Sequence, residues 1–198
     1  MRDIFKPAGI LFAICFVVTA ALAFTYVGTR DIIAQRAAEE EENARMEVLA
    51  AASYFEEIEN IEDYKNDLPE TGMVKSAYKG LNSDSVVGYV FALDTKGYGG
   101  NISIVVGINS DGEVTGVKIG DNKETPGLGA KITEDPFISQ FNNIKPKDRL
   151  KVVKNKGTAD EEINAISGAT ISSKAVVNAV QVAIDLAAAI SGEGGGSK

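Results

Sequence analysis

The chain has 198 residues and a formal net charge of −8, with no histidine, no tryptophan and a single cysteine. The acidic balance opposes contact with a phosphate backbone, so nucleic acid is set aside as a partner. The missing side chains exclude a Ser–His–Asp arrangement, a histidine-based zinc site, a histidine-ligated haem, an internal disulfide and a thiolate cluster. No catalytic residue and no metal-ligand set is expected, so redox chemistry would need a bound cofactor.

Residues 8–27, "AGILFAICFVVTAALAFTYV", carry no charge. As a helix they span about 30 Å, which matches a bilayer core. The run is longer than a usual signal-peptide h-region and ends without a small-x-small cleavage site. Residues 1–28 therefore read as a retained transmembrane anchor. Arg2 and Lys6 before the run and Arg30 and Arg36 after it balance, so charge does not orient it. Cys15 lies inside the run and reads as an apolar thiol.

Residues 29–70, rich in Ala, Glu and Arg, read as a helical connector that turns amphipathic through Ile33, Val48, Leu49, Ala52 and Phe55 as it meets the domain, with the acidic run Glu39–Glu42 as a solvated face. The domain proper is expected over 71–191. "VVGYVFALD" (86–94) and "NISIVVGI" (101–108) have the β-branched and aromatic content of strands. Asp111-Gly112 predicts a hairpin into "EVTGVKIG" (113–120). Residues 121–150 read as loops with a short helix around Phe137–Phe141, and "LKVVK" (150–154) as a further strand. Ala175, Val176, Ala179, Val180, Ala183, Ile184 and Ala187 recur at helical spacing. Residues 192–198, "GEGGGSK", read as a flexible tail. The fold class is α+β: a mostly antiparallel sheet with flanking helices behind one N-terminal transmembrane helix.

Three stretches stand out. In "TKGYGG" (95–100) the glycines around Tyr98 permit close backbone approach; a plain hairpin loop explains them equally well. In "ETPGLG" (124–129) Pro126 and Gly127 suit the central positions of a type II turn. That turn would lift Leu128 to an exposed tip beside Glu124, Thr125 and Gly129. "NAISGATISSK" (164–174) reads as a small-residue turn entering a helix, with Ser172 or Ser173 as N-cap.

In this order and at these spacings, the stretches resemble the FMN-binding domain of bacterial respiratory flavoproteins. That family includes the G subunit of the Rnf complex and the C subunit of the sodium-translocating NADH:quinone reductase. The resemblance covers roughly residues 85–185. It implies FMN joined through its phosphate to Thr170, placed there by a separate flavin transferase. Asn164, Ser167, Gly168 and Ala169 would form the recognition stretch; Asn164 replaces the family's usual Asp. Small neighbours would admit Thr170 to the transferase. The helix start, with Ser172, Ser173 and Lys174, would then seat the phosphate. Tyr98, Glu124, Thr125, Gly127, Leu128 and Gly129 would complete the flavin site. Thr170 would be a tether, taking no chemical part in turnover.

The compact chain favours the Rnf type, an electron carrier in an ion-translocating ferredoxin:NAD oxidoreductase. Other membrane subunits of that complex would then be its partners. The resemblance implies a single pass through the cell (inner) membrane, with the flavin domain on the extracytoplasmic side. Two alternatives stand beside it: the quinone-reductase C subunit, and a non-redox membrane-tethered FMN-binding sensor or scaffold.

Overall fold

The computed structural model describes residues 2–59, 61, 64, 73–154, 159 and 161–194. It divides into two compact units, Met1–Asn43 and Ala44–Lys198. The first is most of a single helix, α1 (Arg2–Val48), whose final turn belongs to the second unit. The Thr25 and Thr29 hydroxyls donate to the carbonyls of Ala21 and Thr25, one turn back. Their polarity is thus satisfied within the helix, as an apolar surrounding requires.

The second unit is built on five antiparallel strands in sequence order: β1 (Tyr54–Glu57), β2 (Val74–Asn82), β3 (Ser85–Lys96), β4 (Asn101–Asn109) and β5 (Val114–Asn122). After β5 come a 3-10 turn (Gly129–Thr133), the short helix α2 (Asp135–Ile138) and a second 3-10 turn (Ser139–Phe141). A small parallel pair, β6 (Lys151–Val153) and β7 (Glu162–Asn164), precedes the long helix α3 (Thr170–Gly194).

Alternation along the strands divides the sheet into two packed faces. Tyr89, Phe91 and Leu93 of β3 and Ile102, Ile104, Val106 and Ile108 of β4 join the main core. Val176, Val180, Ala183 and Leu186 of α3, Phe137 of α2 and Phe141 of the second 3-10 turn close it. The opposite face is covered more thinly, by Val48, Leu49 and Ala52 against Val90. Backbone comes unusually close there. A Cβ at Gly107 would overlap the Val48 carbonyl, and one at Gly80 would collide with Leu49. The Thr115 hydroxyl donates to that same Val48 carbonyl, Lys118 pairs with Glu47 at 2.9 Å, and Arg45 lies 4.3 Å over the Tyr78 ring.

The strands at 86–94, 101–108 and 113–120, the hairpin at Gly112 (φ +81°) and the short helix near Phe137 lie where the sequence places them. The connector differs. Its helix ends at Val48, and Tyr54–Glu57 is an edge strand paired with β2. Val48, Leu49 and Ala52 are buried against the sheet, which ties this part of the expected connector to the domain. Residues 65–72, including Pro69 and Gly72, lie outside the described residues. Helix α3 runs on through Gly194 into the expected tail, and 195–198 are also outside the described residues.

Candidate functional site

The three unusual stretches meet at one buried carboxylate. Strands β3 and β4 are joined by residues 97–100, where the Gly97 N–H donates to the Gly100 carbonyl at 2.8 Å. From this loop the Gly99 N–H donates to Oε1 of Glu124 at 2.9 Å. Glu124 follows β5 and is 6% exposed. Its Oε2 accepts the Ser172 hydroxyl, in the first turn of α3, at 2.6 Å. The glycines now have a physical reason. A Cβ at Gly97 would overlap Oε1 of Glu124, and one at Gly129 would overlap Oε2. Both positions are bare because the carboxylate fills the space.

The "ETPGLG" segment forms the expected turn: the Leu128 N–H donates to the Thr125 carbonyl at 3.1 Å, with Gly127 at φ +75°. Leu128 is 48% exposed, and its Cδ2 would lie 3.2 Å from a Cβ added at Gly168. Gly168 itself, at φ +80°, sits third in an Ile166–Ala169 turn closed by a 3.0 Å hydrogen bond. A side chain there would be strained and would press on Leu128.

Helix α3 starts at Thr170, three residues earlier than a cap at Ser172 implies and four earlier than one at Ser173. Ala169 is therefore the residue before the helix, and its carbonyl accepts the Ser173 N–H at 3.0 Å. The two serines serve elsewhere. Ser173 is fully buried; its hydroxyl donates to the Ala169 carbonyl and accepts the Ile166 N–H, pinning the turn shut. Ser172 is committed to Glu124. The N–H groups of Thr170, Ile171 and Ser172 lack the acceptors that a preceding helical turn would supply. Thr170, Ser167, Gly168 and Lys174 are exposed.

Asn164, in β7, is held through its backbone. Its N–H donates to Oε1 of Gln140 at 2.8 Å, and its carbonyl accepts Nε2 of the same side chain at 3.3 Å. Nothing in the sequence marks Gln140 for this role. Upstream, the Lys147 N–H donates to Glu161 at 2.9 Å, and that bond holds the Glu161 carboxyl below its usual range.

Chemically, this end of the domain offers the hydroxyl-bearing, exposed Thr170, first-turn N–H groups at the positive end of a 25-residue helix, and exposed apolar side chains. Tyr98 is 73% exposed and Ile171 55%, each next to a segment bound to Glu124. These residues fit a ligand with a phosphate at one end and a flat apolar ring at the other.

The family model described as "FMN-binding domain" matches residues 97–185, and one described as "RnfG N-terminal region" matches residues 1–48. The G subunit of the Na(+)-translocating ferredoxin:NAD(+) oxidoreductase complex of Acetobacterium woodii is 38% identical, over 93% of this chain and 92% of its own length. The G subunit of the ion-translocating oxidoreductase complex of Methanosarcina acetivorans is 37% identical, over 96% and 98%. Its counterpart in the proton-translocating ferredoxin:NAD(+) oxidoreductase complex of Clostridium ljungdahlii is 32% identical, over 86% and 84%. Among solved structures, NqrC of Shewanella oneidensis shares the fold, with a TM-score of 0.52 and 21% identity over 62% of this chain and 61% of that one. Matched along nearly its whole length by such relatives, the chain belongs to the G-subunit family of ion-translocating Rnf-type oxidoreductase complexes.

Proposed function

We propose that this chain is the flavin-carrying electron-transfer subunit of an ion-translocating ferredoxin:NAD oxidoreductase complex, anchored by α1, with FMN joined through its phosphate to Thr170. The observation that carries the proposal is the position of Thr170. The residue is exposed at the start of α3, two residues after Gly168 and at the point where the 97–100 and 124–129 segments are tied down. FMN would supply the reversible electron uptake that no side chain of this histidine-free chain provides.

The chain's own residues bind and orient. The first-turn N–H groups of α3 offer the phosphate hydrogen bonds and a favourable dipole, and exposed Lys174 adds a cation one turn on. Leu128, over Gly168, offers the ring an apolar cover, and exposed Tyr98 and Ile171, each next in sequence to a residue bonded to Glu124, offer further apolar surface. Ser172 and Ser173 act from beneath, since their hydroxyls are already engaged. A flavin transferase would make the link; Gly168 and Ala169 leave Thr170 open to its active site. The other membrane subunits of the complex would be electron partners. A single pass by α1, with the flavin domain on the extracytoplasmic side, completes the reading.

The likeness to NqrC concerns the fold alone, whereas relatives aligned along the whole chain and the N-terminal match support the Rnf assignment. The test is electrophoresis of membrane protein from cells that express the transferase. A fluorescent flavin band at this chain's mass that survives SDS supports the proposal. A chain that sheds all flavin on denaturation, with the transferase active on a control substrate, refutes the covalent link. A covalently flavinylated chain that does not co-purify with other redox subunits favours the sensor or scaffold.

A further inference from the structure

We propose that Glu124 is the positioning residue of this site: its buried carboxylate, gripping the Gly99 N–H and the Ser172 hydroxyl, locks three loops so that Thr170 is presented for flavinylation. The inference rests on the covalent reading above and adds to it a role for Glu124, whose carboxylate is engaged within the protein. Glu124 points inward, with both oxygens engaged. Each bond crosses to a segment distant in sequence, 25 residues away in one case and 48 in the other. The 97–100 loop and the start of α3 thus share one anchor.

The packing around the carboxylate is as specific as the bonds. Gly97 and Gly129 press on opposite oxygens with no room for a Cβ, and a Cβ at Gly129 would also lie 3.1 Å from the Ser172 hydroxyl. A Cβ at Gly99 would overlap the Lys123 carbonyl, so that loop also lies tightly against the strand end. Gly97, Gly129 and Ser172 therefore have their identities set by a single side chain. Ser172 is two residues from Thr170, so fixing its hydroxyl fixes the first turn of α3. The role is one of hydrogen-bond geometry, and that makes it separable from charge. A glutamine at 124 can accept from Gly99 with its carbonyl oxygen and donate from its amide to Ser172, whose hydroxyl can accept as well as donate.

The experiment measures covalent flavin per folded chain for full-length protein purified from transferase-expressing cells, with folding checked by thermal melting. Glu124→Ala loses both bonds, and its loading should fall by roughly tenfold. Glu124→Gln should stay within about twofold of wild type, because both bonds can be remade. Ser172→Ala keeps the Gly99 arm and should fall by about threefold to tenfold. If Glu124→Ala fails to fold, Ser172→Ala carries the test, since it removes a single hydroxyl. Wild-type loading in a folded Glu124→Ala or Ser172→Ala overturns the proposal. So does a Glu124→Gln that loads as poorly as the alanine variant, which would make the charge the essential feature. Thr170→Val serves as control: flavin still attached there would fault the covalent reading itself, independently of Glu124.

Discussion

The apolar window of α1 has a mean hydropathy of 2.5 and none of it is buried, whereas that of α3 has 1.6 and is 61% buried. Either helix is long and apolar enough to cross a bilayer, yet only the apolar window of α3 is packed within a domain. The difference lies in pattern. Between residues 8 and 27 α1 is apolar on every face, with Phe12, Phe16, Leu22 and Phe24 all well exposed. Helix α3 instead carries Lys174 and Asn178 on an outer face and sets Val176, Val180, Ala183 and Leu186 against β3 and β4. Its buried Gln181 is satisfied, accepting the Leu150 N–H and donating to Asp185, both at 2.8 Å.

Substitutions should separate the two helices sharply. The largest effect is expected for Val180→Asp, which places an unpaired charge at a fully buried position and costs several kcal/mol. Circular dichroism should show an unfolded domain. Leu22→Asp in α1 should leave the domain's melting temperature unchanged and reduce its retention in membranes. If both variants unfolded the domain, the contrast between the helices would be lost.

A milder pair sharpens the same comparison. Leu186→Ala should cost about 2–5 kcal/mol in chemical denaturation, because a fully buried side chain leaves a cavity. Leu22→Ala should change domain stability by less than about 0.5 kcal/mol. Next in size is Gly129→Ala, whose methyl would overlap the Glu124 carboxylate. Overpacking of this kind costs about 1–3 kcal/mol, and a melt should show it.

The smallest effect on stability among the site variants belongs to Leu128→Asp. The side chain is already half exposed, so the loss should be under about 1.5 kcal/mol. The expected change is in the flavin. Negative charge beside the ring disfavours the reduced, anionic state, so a redox titration of the loaded variant should give a lower midpoint potential. Attachment should persist, because Thr170 lies on another segment. An unchanged potential and spectrum would place Leu128 away from the ring.

Much of this fold is legible in the sequence because its strands and α3 follow simple periods. Tyr89, Phe91 and Leu93 alternate with half-buried or oppositely buried neighbours, and the Asp111-Gly112 turn announces its hairpin. Strands β1 and β2 are not legible. "YFEE" is mostly exposed at the sheet edge, and "VKSAYKGLN" is broken by lysines and a glycine that receives Leu49. That Val48, Leu49 and Ala52 meet the domain is legible from their apolar spacing, but their close fit against Gly80 and Gly107 of the sheet is not. At the site, Leu128 and Gly168 occupy the turns that their sequence forecasts, and Thr170 lies at the helix start. The use of Glu124, Ser172 and Gln140 as internal anchors is invisible locally, because each partner lies at least 24 residues away.

The most direct measurement is peptide mapping by mass spectrometry of the denatured wild-type chain and of Thr170→Val, each made with an active flavin transferase. Thr170 is exposed at the start of α3, so the valine variant should melt like wild type. One FMN phosphoryl adduct is expected on the wild-type peptide that contains Thr170, and none anywhere in the variant. An adduct at another residue, or one that persists in Thr170→Val, would contradict attachment at Thr170.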